Sequence, residues 1–349
     1  SEARYLEALA WLAGERAAEG VAAMAAMASA TADDVVSRVL RDRAQLALAH
    51  HYLDNGQQAQ AISHFQQVQS NGPHASRALL GLGWAQVLPS LTESGAAPGA
   101  RAVPLRVADE DLAGLRRTTP FRYYRAIASG EREEDLRLAL AAWQELIGRD
   151  PLDPAVQEGV LAIPYAYEHL AAHAQAQERY EWALALLQRG HELLMEAVTH
   201  VESQALVAEI DRRDSAAEDG WPWWLTRRRE ARWWMDESAP LDPIFYVEHL
   251  LEDDAFRIAV ADYRTLRSIS ARMRALEPHG ADVGARVRQL QPQLDAALTA
   301  QRRLVTELAA AGLKKRLRST EVYLIEAHLA LARMHDAPPD GRERVQRAS

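Results

Sequence analysis

The stretch QLALAHHYLDNGQQAQAISHFQQVQSNGP, Gln45 to Pro73, constrains the fold more than any other, because its pattern returns twice downstream. Leu48, Ala49 and Tyr52 fall at i, i+1 and i+4 on one helix face. Asn55-Gly56 supplies a turn, and Ala61, Phe65 and Val68 repeat on a second helix before Pro73 closes the unit. The small Ala61 lets two helices approach and Phe65 fills the space one turn later, so such a hairpin buries its apolar face only by stacking on a neighbour. The predicted fold class is all-α: a solenoid of helical hairpins followed by one long helical hairpin, a coiled-coil-like arm.

Residues 2 to 28 predict two short helices broken near Gly14 to Gly20, a degenerate first repeat. Asp33-Asp34 are suited to cap the next helix, since a carboxylate accepts from unpaired backbone N–H groups there, and that helix should reach about Leu53. In the second unit Leu79, Leu82 and Gly83 take the places of Gln45, Leu48 and Ala49, but its other half resumes only at Ala139, Trp143 and Pro151. The first slot and the small residue are 16 positions apart in the first unit and 60 in the second, so about 44 residues are inserted, expected at 87–132. A third unit is expected on Tyr167, Leu170, Ala171, Ala183 and Leu187. Asp153 and Pro154 open its lead-in helix, and a further helix runs from Gly190 to about Ile210. The repeat domain is thus expected to occupy residues 1–211.

Residues 212–254 form a Trp-rich connector, in which Trp221, Trp223, Trp224, Trp233 and Trp234 surround Arg227, Arg228 and Arg229. Over 255–335, a stripe of Phe256, Val260, Tyr263, Leu266, Ile269, Met273 and Leu276 gives way to Val283, Val287, Leu290, Leu294, Ala297, Leu304 and Leu308. The second set has heptad spacing, with Gln301 in one seam slot. Pro292 predicts a kink or a later helix start, and the seam is offset near Gly312. The tail, 336–349, is expected to be disordered.

At the residues quoted, Gln45 to Pro73 resembles a tetratricopeptide repeat, with Gln45 where that family usually carries Trp. The combination of NGPHASRALLGLGWA, DPLDPAVQEGVLAIPYAYEHL, FYVEHLLEDDAFRIAVADYRTL and VYLIEAHLALARMHD resembles a family of Gram-negative bacterial tetratricopeptide repeat proteins. Most of them lack an assigned activity, and some are labelled as components of TonB-type envelope systems. The resemblance covers roughly residues 40 to 335. It implies an exported, periplasmic or envelope-associated protein whose partner belongs to an envelope complex, with membrane association compatible; Ser1 in place of Met fits either a removed tag or a preceding leader.

The net charge of −9 and pI near 5.8 argue against nucleic acid as a partner, because neutralising phosphates takes a basic surface. No window approaches the 18 or more apolar residues of a membrane span. Absence of cysteine removes disulfides, thiolate metal sites and cysteine nucleophiles. No phosphate loop, dinucleotide fingerprint or nucleophile elbow is present.

His169 and His173, four apart, have a metal-ligand spacing, but HLAAH lacks the glutamate of HExxH and a placed third ligand. Glu252, Asp253 and Asp254 read as an acidic helix start rather than a cation site. The sequence therefore predicts no catalytic residue, cofactor or metal. It predicts a non-catalytic scaffold that binds a protein segment in the groove of the repeats, through His51, Asn55 and Gln58, with oligomerisation through the helical arm. The competing expectation is a glycan- or peptide-binding protein, or an enzyme, that uses the five clustered tryptophans as an aromatic contact surface. A cytoplasmic regulator built on the same repeats is the third.

Overall fold

Asp34 starts the best-patterned repeat as its chemistry requires: its side chain accepts from the Ser37 amide at 2.9 Å and from the Ser37 hydroxyl at 2.6 Å. The computed structural model describes residues 2–32, 34–87, 133–216, 242, 244–251, 253–276 and 281–336. Among these, 85% are helical and none lies in a strand, so the all-α class holds. The chain divides into two compact units, Ser1–Leu187 with Tyr323–Ser349, and Gln188–Val322.

In the first unit, α1 (Glu2–Ala13) and α2 (Ala17–Ala28) form a hairpin that touches α3 (Val35–Asp54). Gly20 does not break a helix. It is buried in α2, where a Cβ would come within 2.5 Å of the Leu12 backbone nitrogen, so it sets how closely α1 and α2 approach. Asn55 ends α3 and Gly56 turns the chain at φ 67°, a left-handed conformation that glycine adopts without steric penalty. Helix α4 (Gln58–Gln66) then folds back, burying Ala61 and Phe65.

The split repeat closes as the spacing predicts. Helix α5 (Ala75–Val87) packs against α6 (Glu133–Gln144), and Trp143 occupies a notch that Gly83 leaves open: a Cβ there would sit 2.1 Å from the indole nitrogen. That nitrogen donates to the Leu80 carbonyl at 3.1 Å. Gly81 makes the same accommodation for Phe65 of α4, its would-be Cβ falling 2.3 Å from the ring. Apart from Val87, which ends α5, the insertion expected at 87–132 lies outside the described residues.

The third repeat is present but displaced. Helix α7 (Pro154–His169) is capped by Asp153, which accepts from the Ala155 amide at 2.9 Å, and α8 (His173–Glu202) follows. Leu170 caps the end of α7 and Ala171 turns at φ 55°, the counterparts of Asn55 and Gly56. Aligning the turns puts Val160 and Ile163 in the first-helix slots and Ala176, Tyr180 and Ala183 in the second, all buried. The sequence register on Tyr167, Leu170 and Ala171 is seven residues late. Two helical turns take 7.2 residues, so a seven-residue slip keeps the same face and periodicity does not distinguish the two registers. The helix expected to start at Gly190 is the continuation of α8, which ends before Gln204 at φ 63°.

The second unit contains the end of α8, α9 (Ala205–Ala216), the short α10 (Val247–Leu250), α11 (Asp254–Leu276) and the part of α12 (Ala281–Asp336) up to Val322. Asp253 accepts from the Phe256 amide at 3.1 Å, the acidic start expected for α11. Helix α12 begins at Ala281 and runs through Pro292 and Gly312, so neither residue starts a new helix. Pro292 is exposed, on the solvent side of the helix. Helices α11 and α12 pair antiparallel: Gln301 donates to the Ala259 carbonyl at 2.9 Å, Arg302 meets Tyr263, and Arg274 meets Asp295. Only part of the expected seam is buried. Of those residues only Val287 is buried, Leu294 and Leu308 are half-buried, and Val283, Leu290, Ala297 and Leu304 face solvent; Val305, Ala309 and Leu313, outside that set, face inward instead.

Candidate binding face of the repeats

Helices α1, α3 and α5 are the first helices of successive hairpins; α1 touches α3 and α3 touches α5. Together they line a hollow of about 400 Å³. Its apolar surface comes from Tyr5, Leu9 and Leu12 of α1 and Leu46 of α3. Its polar surface is strongly biased: Arg43, His50, His51 and Asp54 come from α3, His74 from the approach to α5, and Arg77 from α5. Two guanidiniums and three imidazoles thus face one carboxylate. The Arg43 guanidinium lies 4.4 Å from the centre of the Tyr5 ring, close enough for the ring quadrupole to hold the cation over the apolar floor.

Of the three residues expected to face a groove, His51 lines the hollow and the other two do structural work. Asn55 donates to the His51 carbonyl at 2.7 Å and so caps the end of α3. Gln58 donates to the carbonyls of Ala85 at 2.6 Å and Gln86 at 3.2 Å, joining the start of α4 to the last turn of α5. Such terminal carbonyls have no partner within their own helix, and both bonds come from the Gln58 amide nitrogen. Arg43, His74 and Arg77 were missed. A signal existed: 34 residues separate Leu9 from Arg43 and Arg43 from Arg77, one repeat each, and all three line the hollow.

Gln45, in the slot where Trp was expected, anchors a buried polar network instead. Its amide donates to the Ala28 carbonyl at 3.2 Å and to Gln67 Oε1 at 2.8 Å, and its oxygen meets His64 Nδ1 at 2.6 Å. Burial holds the His64 pKa below the usual imidazole value, which keeps the ring neutral.

A second buried polar group lies between α5 and α7. Trp84 Nε1 donates to Glu158 at 3.0 Å, and Trp84 itself meets Trp143 edge-on at 4.8 Å. The Glu158 residue keeps some accessible surface, but its carboxyl is closely surrounded by protein, and that burial pushes its pKa up to about 8. Glu158 does not line the hollow.

His169 ends α7 with its ring tilted against Tyr165, centroids 4.5 Å apart, whereas His173 opens α8. The pair spans a turn instead of sharing a helix face, which removes the geometric basis for joint ligation. Among the described residues no group of three or more His, Asp or Glu is placed to hold a metal ion, and no helix is long and apolar enough to cross a membrane. Trp221, Trp223, Trp224, Trp233 and Trp234 lie outside the described residues.

A further hollow of about 410 Å³ lies between α6 and the end of α7, lined by Leu140, Gln144, Tyr167 and Leu170. Among the described residues its charged groups are Glu133 and Arg137, which pair with each other on an exposed helix surface. No family model matches this sequence, and neither the curated proteins nor the solved structures contain a chain similar enough to count as a match.

Proposed function

We propose that the protein is a non-catalytic adaptor whose repeat unit receives a segment of another protein on the face formed by α1, α3 and α5. The observation that carries this reading is the hollow itself, where Arg43 and Arg77 stand with three histidines beside an apolar floor of Tyr5, Leu9, Leu12 and Leu46. Two arginines and one aspartate line this hollow on a chain of net charge −9. Arginine presents a planar fork suited to carboxylates. The ligand that fits is a peptide segment with one or more carboxylates next to a large apolar side chain.

We further propose, on the sequence resemblance alone, that the repeats are of the tetratricopeptide kind and that the adaptor works in the periplasm or at the envelope of a Gram-negative bacterium. Fractionation of cells producing the full-length protein tests the compartment.

Selection of displayed peptides on the purified chain tests the binding face. Acidic residues beside Leu, Phe or Tyr should be enriched, and binding of a selected peptide should fall at least tenfold in Arg43→Glu/Arg77→Glu while helix content is unchanged. Enrichment without acidic bias, or peptides that still bind the charge-reversed variant, would reject the site.

A further inference from the structure

Among the described residues, three of the chain's twelve histidines meet at the hollow on α1, α3 and α5. His50 and His51 reach it from α3 and His74 from the approach to α5, and all three are half-buried, so each keeps some surface open to solvent. They are not assembled as metal ligands, since no described group of three or more His, Asp or Glu is placed to hold an ion. What they share is a charge that depends on pH: imidazole is the side chain that ordinarily gains its proton between about pH 8 and pH 5.

The other titratable groups on the hollow set the sign of the effect. Arg43 of α3 and Arg77 of α5 are positive, Asp54 of α3 is negative, and Tyr5 is the titratable side chain that α1 contributes. With the imidazoles neutral, this lining carries one net positive charge, and each proton taken up adds another. In the empty hollow the added charge meets two guanidiniums. Once a peptide carboxylate lies among them, the same charge is attracted instead, and more strongly than it would be in bulk water. Proton and peptide are therefore linked, and each strengthens the hold on the other by the same factor.

Local contacts bear on two of the rings. His51 Nε2 lies 3.4 Å from Asn55 Nδ2, whose orientation is fixed by its 2.7 Å bond to the His51 carbonyl. An amide nitrogen only donates, so the ring nitrogen facing it accepts, as in a neutral imidazole. A proton on Nε2 would set donor against donor and release the ring toward a carboxylate. His50 packs edge-on against Phe65 of α4, with centroids 5.2 Å apart.

We infer that binding at the α1–α3–α5 face is proton-coupled: the hollow takes up protons on His50, His51 and His74 as it takes an acidic peptide, loading as pH falls from about 8 to about 5.5 and unloading as pH rises. This coupling rests on that face being the binding site, and it sets the condition under which the site fills.

The probe is one acidic peptide from display selections run at both pH values, resynthesised without histidine so that its own charge stays constant. Calorimetry on the unmodified chain should show affinity rising about tenfold or more from pH 8 to pH 5.5, which corresponds to one pKa unit gained at a single ring. Titration at about pH 6.5 in two buffers of different ionisation enthalpy should show net proton uptake. His51→Gln/His74→Gln, which leaves His50 on Phe65, should lose most of the pH dependence at unchanged helix content and keep the affinity seen at pH 8. Adding His50→Gln should remove the rest. Equal affinity at both pH values without proton uptake, with Arg43→Glu/Arg77→Glu still losing the peptide, would overturn the coupling and leave the binding face standing. Proton uptake undiminished in the triple histidine variant would place the proton elsewhere and overturn it too. Failure to select any peptide, or equal binding to the charge-reversed variant, would reject the face itself and the coupling with it.

Discussion

In the repeats, helices meet where a glycine receives a ring, Gly81 under Phe65 and Gly83 under Trp143. Residues 188–322 also bury apolar side chains, among them Leu206, Phe256 and Val305, and add a charge network between their helices. Tyr263 donates to Asp211 at 2.7 Å, and Arg264 grips Asp214 through two nitrogens at 2.7 and 2.5 Å. Arg267 pairs with Asp211, and Arg302 reaches Asp211 at 3.3 Å, so the network joins α9, α11 and α12. Glu209 extends it: the Arg212 and Arg213 guanidiniums bring its pKa down to about 2. Close packing without charge is sensitive to added volume and indifferent to salt. A network of partly exposed ion pairs has the opposite sensitivities, because salt screens it and no side chain is wedged against backbone. The same helical class is therefore built in two ways, and each makes its unit fragile to a different perturbation.

The sharpest way to break this contrast is to add a side chain at each kind of contact. Gly83→Leu should destabilise by about 3 kcal/mol or more, since it collides with Trp143 and disturbs the indole's bond to Leu80. Gly312→Ala in the second unit meets only the flexible end of Leu250 at 3.0 Å. It should change stability by less than about 1 kcal/mol, with helix propensity favouring alanine. Urea unfolding followed by near-ultraviolet circular dichroism measures both.

Next in size is the effect of pH on the repeats. A carboxyl whose folded pKa is raised stabilises fully below its ordinary value and loses that contribution as pH rises to the folded value. For Glu158 the window runs from 4.5 to about 8. Glu158→Gln keeps an acceptor for Trp84 and should raise stability at neutral pH by about 2 kcal/mol, with little change at pH 4, the difference being read from unfolding curves at several pH values. Equal effects at both pH values would show that the carboxyl is not ionising in that range.

Smaller still is the charge network. Asp214→Asn should cost about 1 kcal/mol at low ionic strength and make the second unit's unfolding less dependent on salt, while the repeats respond to salt as before. Hydrogen exchange, which follows each helix separately, gives the readout. The least effect is expected from His64, whose lowered pKa stabilises above the ordinary imidazole value and loses that contribution as pH falls. His64→Asn should flatten the acid limb of the repeat unit's stability by under about 1 kcal/mol.

What the sequence by itself determined were local facts. Caps at Asp34 and Asp153, the Asn55-Gly56 turn, and the small-then-large pairs Ala61–Phe65 and Ala139–Trp143 are each fixed by a few neighbouring residues, so the all-helical class and even the split repeat were readable. Of the residues expected to face a groove, His51 lines the hollow, whereas Asn55 and Gln58 bond backbone carbonyls, and a polar side chain near a turn looks the same in sequence whether it awaits a ligand or satisfies a carbonyl. Tertiary structure alone decided the register of the third repeat, because a slip of two turns preserves the apolar face. It also decided which α12 residues turned inward: Val305, Ala309 and Leu313 are buried, although the more regular seven-residue spacing lies on Val283, Leu290, Ala297 and Leu304, because burial follows the neighbouring elements and not the spacing. The hollow on α1, α3 and α5 exists for the same reason: its wall is made of residues one repeat apart, brought together only when the hairpins stack.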